Sequence, residues 1–153
     1  MTRELIDRLA LSDLVAQYAI AVDRRDETVL AALFTTDARL VQPPDLVRPG
    51  RDPILSGAVG IASSILAAVA HLHSTRHVVA QQLVEITGDS ARGETYCEAH
   101  HMYPVEGGHR DHVVALRYLD EYHRADGAWR IARRELIVDF TENRTVALPK
   151  NGK

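Results

Sequence analysis

His77 and Asp23 are the residues of this chain best suited to a single chemistry, the removal of a proton from carbon. An imidazole takes up and releases a proton near neutral pH, as a general base must. A carboxylate beside it would suit that task. Asp23 falls near the end of an apparent first helix, where a carboxylate meets the unfavourable end of the helix dipole. The neighbouring Arg24 and Arg25 offer a plain neutralising role instead. Tyr18 lies on the apolar stripe of the same helix, where the default is a core tyrosine with a satisfied hydroxyl. Five residues correspond to about 140° around an ideal helix, so Tyr18 and Asp23 converge only where the helix bends or frays.

Two further strands carry candidates. Near the end of the chain Arg130, Ala132 and Arg134 alternate with Trp129, Ile131 and Arg133 across the pleat of a strand. One of these arginines can face inward and supply fixed positive charge, with a bulge deciding which. The alternative is a solvated arginine on an exposed face. Earlier, Ala91, Gly93, Thr95, Cys97, Ala99 and His101 alternate with Arg92, Glu94, Tyr96, Glu98 and His100. The small, mostly uncharged set reads as the inner one and aims His101 at a cavity. A bulge would exchange it with His100.

No other motif competes. His71, His73 and His77 resemble a metal cluster but straddle a helix-to-strand junction without a carboxylate ligand. The Gly107-Gly108 turn is too brief to cradle a phosphate. No cofactor motif is present, and the chemistry is expected to need none. The single cysteine, Cys97, excludes an internal disulfide and fits a reducing cytoplasm, the expected location.

A length of 153 residues fits one domain. The net charge of −3 argues against nucleic acid, which needs a clustered basic face. Sixteen of the 18 basic residues are arginine, but they are scattered. The longest apolar stretch, 57–72, is interrupted by Ser63 and Ser64 and is too short to span a bilayer.

The elements that must position these residues follow from periodicity. Leu5, Ile6, Leu9, Leu14, Val15, Tyr18, Ala19 and Val22 mark one helical stripe facing a core. Asp26 is placed to cap a short second helix through Phe34. A short strand at 39–41 precedes a proline-rich loop, and helical periodicity returns from about Gly57 to Ala70. Four strand-like segments then run 77–86, 91–103, 111–123 and 129–140, separated by turns such as Gly88-Asp89 and Asp126-Gly127. Helices first and an antiparallel meander afterwards indicate an α+β fold, a cone-shaped curved sheet with N-terminal helices on its concave side. The domain is expected over 1–140, with a tail over 141–153. The cone's mouth is a natural place for a small ligand, and the outer sheet face for a second copy.

Several of these stretches are also familiar: YAIAVDRRDETVLAALFTTDARL, STRHVV, GDSARGETYCEAHHMY and RYLDEYHRADGAWRIARREL. Together they resemble the SnoaL-like branch of the nuclear transport factor 2 superfamily. Its members include polyketide cyclases, dehydratases, a dehydrochlorinase, ketosteroid isomerase and small non-catalytic subunits of ring-hydroxylating dioxygenases. By resemblance, Asp23 and His77 match the dehydrochlorinase dyad and Arg134 its strand arginine. Tyr18 matches a dehydratase tyrosine, and His101, or its neighbour His100, matches a dehydratase histidine.

The resemblance implies a cofactor-independent lyase or isomerase acting on a small hydrophobic, cyclic, polyketide- or steroid-like molecule. His77, oriented by Asp23, would abstract the proton. Tyr18 and His101 would hold a carbonyl oxygen or departing hydroxyl, and Arg134 would stabilise negative charge. It also implies a homodimer or homotrimer. The alternative it implies is a non-catalytic binding or scaffold module, such as the small subunit of an oxygenase.

Overall fold

A computed structural model of the protein describes residues 2–150. Helix α1 (Arg3–Asp23) starts where the Thr2 side chain accepts a hydrogen bond from the Leu5 amide. Asp26 caps α2 (Glu27–Ala32) in the same way, through the Val29 amide. Strand β1 (Phe34–Val41) is longer than its apolar core suggested. A 3₁₀ turn at Pro44–Leu46 and a short β2 (Ile54–Ser56) lead to α3 (Ala58–Val69). The meander follows as β3 (Ser74–Thr87), β4 (Ser90–Val105), β5 (Gly108–Ala125) and β6 (Ala128–Val146). Its last hairpin turns on Asp126-Gly127, both at positive φ (51° and 77°), the pairing that a two-residue turn between twisted strands requires.

The fold is α+β, with six strands in the order β2-β1-β6-β5-β4-β3. The sheet is curved and open. Every pair is antiparallel except β1 with β6, which runs parallel. The inner face of β4 carries Ala91, Thr95, Cys97 and Ala99, all buried, as the alternation predicts. Small side chains are needed there: a Cβ on Gly93 would lie 3.0 Å from the Tyr122 ring and 3.1 Å from Val84. The core gathers Leu11, Leu14, Val15 and Val22 of α1 with Leu30, Leu40, Ile61, Tyr118, Tyr122 and Ile131.

Two expectations need correction. The first turns of α1 do not bury the anticipated stripe, since Leu5, Ile6 and Leu9 are about half exposed. Asp7 is buried in their place, accepting bonds from the Trp129 indole (3.0 Å) and from Arg124 (2.8 Å to each carboxylate oxygen). A carboxylate with those donors outcompetes an unpartnered leucine for that position. Nor does a tail begin at residue 141. Strand β6 continues to Val146, with Thr141 opposite Val114 and Val146 opposite His109. Residues 147–150 follow outside any strand, and the last three of the expected tail, 151–153, lie outside the described residues.

Two irregularities in β6 decide which of its side chains face inward. The register slips once opposite Glu121/Tyr122 and again opposite Ala115/Leu116, each time leaving one β6 residue, Ala132 and then Asp139, without a partner. Each slip exchanges the two faces. Trp129 and Ile131 are therefore inner residues, then Arg134, Leu136 and Val138, then Thr141 and Asn143. The inward arginine is Arg134, while Arg130 donates to the Ala32 carbonyl and Arg133 pairs with Glu135.

Candidate functional site

The last residue of α1, Asp23, meets the start of β3. Its carboxylate accepts from His77 Nδ1 at 2.7 Å and from the His77 backbone amide at 2.9 Å. The Thr75 hydroxyl donates to it at 2.9 Å and accepts in turn from Arg25 at 2.8 Å. Arg25 also grips the Val22 and Val69 carbonyls at the ends of α1 and α3. It does so from a left-handed backbone, φ 57°, a cost of order 1–3 kcal/mol for a non-glycine residue that such tethers offset. Burial pushes the Asp23 pKa up, but the bonds from the His77 ring and amide and from Thr75 outweigh it, leaving the carboxyl below its usual 3.8. An ionised carboxylate only accepts, so His77 carries its proton on Nδ1. Nε2 is left as the basic atom.

His77 lines a cavity of about 560 Å³ between α1, α3 and the inner sheet face. Its walls are largely apolar, including Leu46, Ile65, Val69, Leu72, Val114 and Leu136. Tyr18 and His101 line the same cavity; Asp23 stands behind His77. A second hollow of about 380 Å³, between Glu85, Thr87, Arg92, Glu121 and His123, lies at the other end of these strands and holds none of the candidate residues. The apolar cavity is the one that can desolvate a substrate next to a base.

His101 faces inward as the alternation predicts, with its ring centroid 6.1 Å from that of His77. Its Nδ1 donates to the His112 carbonyl at 2.9 Å, which directs a neutral Nε2 lone pair into the cavity. Burial lowers the His101 pKa below 6.5, only partly opposed by that bond, so the ring favours the neutral form. Tyr18 packs edge-on against Phe34 and Tyr118. Burial raises its pKa, against the opposing pull of Arg134, so it remains a donor hydroxyl.

Arg134 is not where direct charge stabilisation would need it. It is fully buried, outside the cavity lining, and forms a forked pair with Asp120, Nε–Oδ1 at 2.8 Å and Nη2–Oδ2 at 2.7 Å. The guanidinium lies 4.2 Å from the Tyr18 ring centroid and 3.9 Å from that of Tyr118. Its partner Asp120 already balances its charge, so any influence on a substrate passes through Tyr18.

Among the described residues no group of histidine, cysteine or acidic side chains is arranged to hold a metal. His71 lines the cavity, His73 packs against His109 and His77 binds Asp23, so the apparent cluster diverges. No helix among these residues is long and apolar enough to cross a membrane. Cys97 is buried, and burial raises its thiol pKa, away from nucleophilic use. Sequence reasoning missed His112 and Tyr103 at the cavity and Asp120 beneath it. It also missed the relay from Arg25 through Thr75. Strand parity alone marks His112, which stands directly opposite His101.

An α+β fold with an apolar chamber against a curved sheet defines a class of small cavity proteins. The chain belongs to the SnoaL-like domain family, whose model matches residues 3–135. Gamma-hexachlorocyclohexane dehydrochlorinase of Sphingobium indicum is 25% identical over 138 residues, 89% of this chain and 83% of the relative. A type 3 hexachlorocyclohexane dehydrochlorinase from Novosphingobium barchaimii has a similar solved structure, with a TM-score of 0.80 at 22% identity, covering 95% of this chain and 97% of that one. A candidate scytalone dehydratase from Novosphingobium aromaticivorans superposes with a TM-score of 0.79 at 22% identity, covering 98% and 97%. Dehydrochlorinases and dehydratases both carry out eliminations, so lyase activity occurs among the relatives.

Proposed function

We propose that this chain is a cofactor-independent lyase or isomerase of dehydratase type, acting on a small hydrophobic cyclic molecule of polyketide- or steroid-like character. The observation that carries the reading is the 2.7 Å bond from His77 Nδ1 to Asp23, which leaves Nε2 as a base against an apolar cavity. His77 Nε2 removes a proton from carbon next to a carbonyl. The C–H electron pair forms the new double bond as the β-hydroxyl departs. Tyr18 gives that hydroxyl its proton, so that water leaves, and is reprotonated by way of solvent from His77. His101 accepts a hydrogen bond from a substrate hydroxyl and keeps the reacting group in place. The products balance as a conjugated alkene and water. Without a leaving group, the same base returns the proton elsewhere and the outcome is isomerisation.

Positioned acid–base groups contribute about 10²–10⁴-fold each, enough for an activated C–H bond and not for an unactivated one. Relatedness to dehydrochlorinases supports elimination as the class. Assembly as a homodimer or homotrimer belongs to the same reading. It is supported by Val78, Tyr96 and Phe140, which share the outer sheet face at 44%, 41% and 61% exposure.

The test is proton exchange from D2O into a panel of cyclic hydroxy-ketones, followed by NMR. Exchange that disappears in His77→Ala supports the reading. Exchange unchanged by that substitution defeats it. Stable copurification with a larger oxygenase subunit, with no exchange, would establish the scaffold alternative.

A further inference from the structure

The inner face carries a third imidazole that the proposed reaction does not use. His77, His101 and His112 cross β3, β4 and β5 as a row, with centroids 6.1 Å apart for the first pair and 6.2 Å for the second. His112, on β5, stands opposite His101 on β4 and opposite Asn143 on β6. Asn143 reaches this face only because the pleat changes phase at Asp139. Its Oδ1 accepts from His112 Nδ1 at 3.2 Å and from the Tyr103 hydroxyl at 3.3 Å. An amide oxygen only accepts, so both partners donate to it. Tyr103 thereby spends its proton, and His112 keeps its lone pair on Nε2. Both side chains line the cavity and are half-buried, whereas Asn143 is exposed, so this cluster forms the mouth.

Every imidazole in the row is held alike, with Nδ1 on a fixed acceptor: the Asp23 carboxylate, the His112 carbonyl, the Asn143 amide. The wall opposite is apolar, with Leu46, Ile65 and Leu72. A ligand lying between them meets hydrocarbon on one side and acceptor nitrogens on the other. A group that donates a hydrogen bond fits the outer end of the row.

We propose that His112, held by Asn143, is a second recognition subsite, binding a neutral hydroxyl on the end of the substrate remote from the reacting carbon. This rests on the reading of the cavity as the substrate chamber and deepens it: the substrate is hydroxylated at both ends.

Binding tests it without turnover. Equilibrium titrations use 4,4′-dihydroxybiphenyl and 4-hydroxy-4′-methoxybiphenyl, in which one donor hydroxyl is replaced by a methyl ether. The protein should bind the diol about threefold to tenfold more tightly, the span of one net hydrogen bond. His112→Phe should bring the two ligands within about twofold of each other. Asn143→Leu, which frees the His112 ring but leaves it in place, should remove part of the preference. Equal binding of the two ligands by the unsubstituted protein overturns the subsite, as does a preference that survives His112→Phe. Loss of proton exchange on the ketone panel with the diol preference intact would remove the lyase reading and leave the subsite standing.

Discussion

The sheet holds two aspartate–histidine pairs, one on each face, and their bond lengths hardly differ. Inside, Asp23 meets His77 Nδ1 at 2.7 Å; outside, Asp111 meets His100 Nδ1 at 2.6 Å. Each carboxylate also accepts a backbone amide, from His77 at 2.9 Å and from His101 at 3.0 Å. In each, burial raises the carboxyl pKa but the bonds to histidine and its neighbours outweigh it, leaving the group below 3.8. The difference is at the other ring nitrogen. His100 Nε2 is 3.2 Å from Glu98, and Arg144 approaches Asp111 at 3.5 Å, so neighbouring charged side chains engage both ends of this pair. His77 Nε2 opens on a cavity. A short carboxylate–imidazole bond therefore does not by itself mark a catalytic dyad; what sets the inner pair apart, and what the proposed reading rests on, is an uncommitted nitrogen beside an apolar chamber.

The comparison is broken most sharply by removing each imidazole in turn. His77→Ala should lower proton exchange by about 10²–10⁴-fold. His100→Ala should leave exchange within about twofold, because its ring faces the other side of the sheet. A comparable loss in both variants would show that the two pairs act as one network. Next in size is Thr75→Val, which deletes the hydroxyl linking Arg25 to Asp23 without changing the strand. The expected loss is about tenfold in exchange rate with a nearly unchanged melting temperature, as for other outer-shell partners.

Stability sharpens the contrast in the opposite sense. His100→Ala leaves buried Asp111 short of its main partner, a cost of about 1–3 kcal/mol read from denaturant unfolding. The pH dependence separates the groups further. Asp23 and Asp111 have folded pKa values below 3.8, so each contributes stability that is present above about pH 4 and lost as pH falls through the folded value. Asp23→Asn should flatten only the acid limb of a melting-temperature profile. The smallest effect belongs to His101. Its lowered pKa gives stability that is complete above 6.5 and declines as pH falls below it, at no more than about 1.4 kcal/mol per pH unit. His101→Gln should remove that gentle slope and leave the acid limb intact.

Much of this could be read from the sequence. Turn residues at 88–89 and 126–127 divided the meander correctly, and strict alternation in β4 placed His101 inside and His100 outside. The Asp23–His77 pair joins residues 54 apart, a contact for which resemblance to a family was needed as well as residue type. What escaped depended on register. Alternation cannot count bulges in advance, so neither the inward turn of Arg134 nor its pairing with Asp120, directly opposite on the neighbouring strand, was legible from alternation. The extension over 141–146 reads as polar and charged because most of those residues face water, yet their backbone pairs with β5 throughout. Asp7 deceived for a different reason. A periodic count scores it as polar and cannot know that Trp129 and Arg124 wait beneath it.

The bulge at Asp139 places one residue on the outer face, where its carboxylate accepts from Arg117 Nε and Nη2 at 3.1 and 2.9 Å. Deleting Asp139 would break that outer pair yet leave Asn143 facing inward, because Val138 and residues 140–143 then alternate without interruption against Leu116 to His112. A lineage could thus lose or gain a residue at this point without changing which side chains line the chamber's rim.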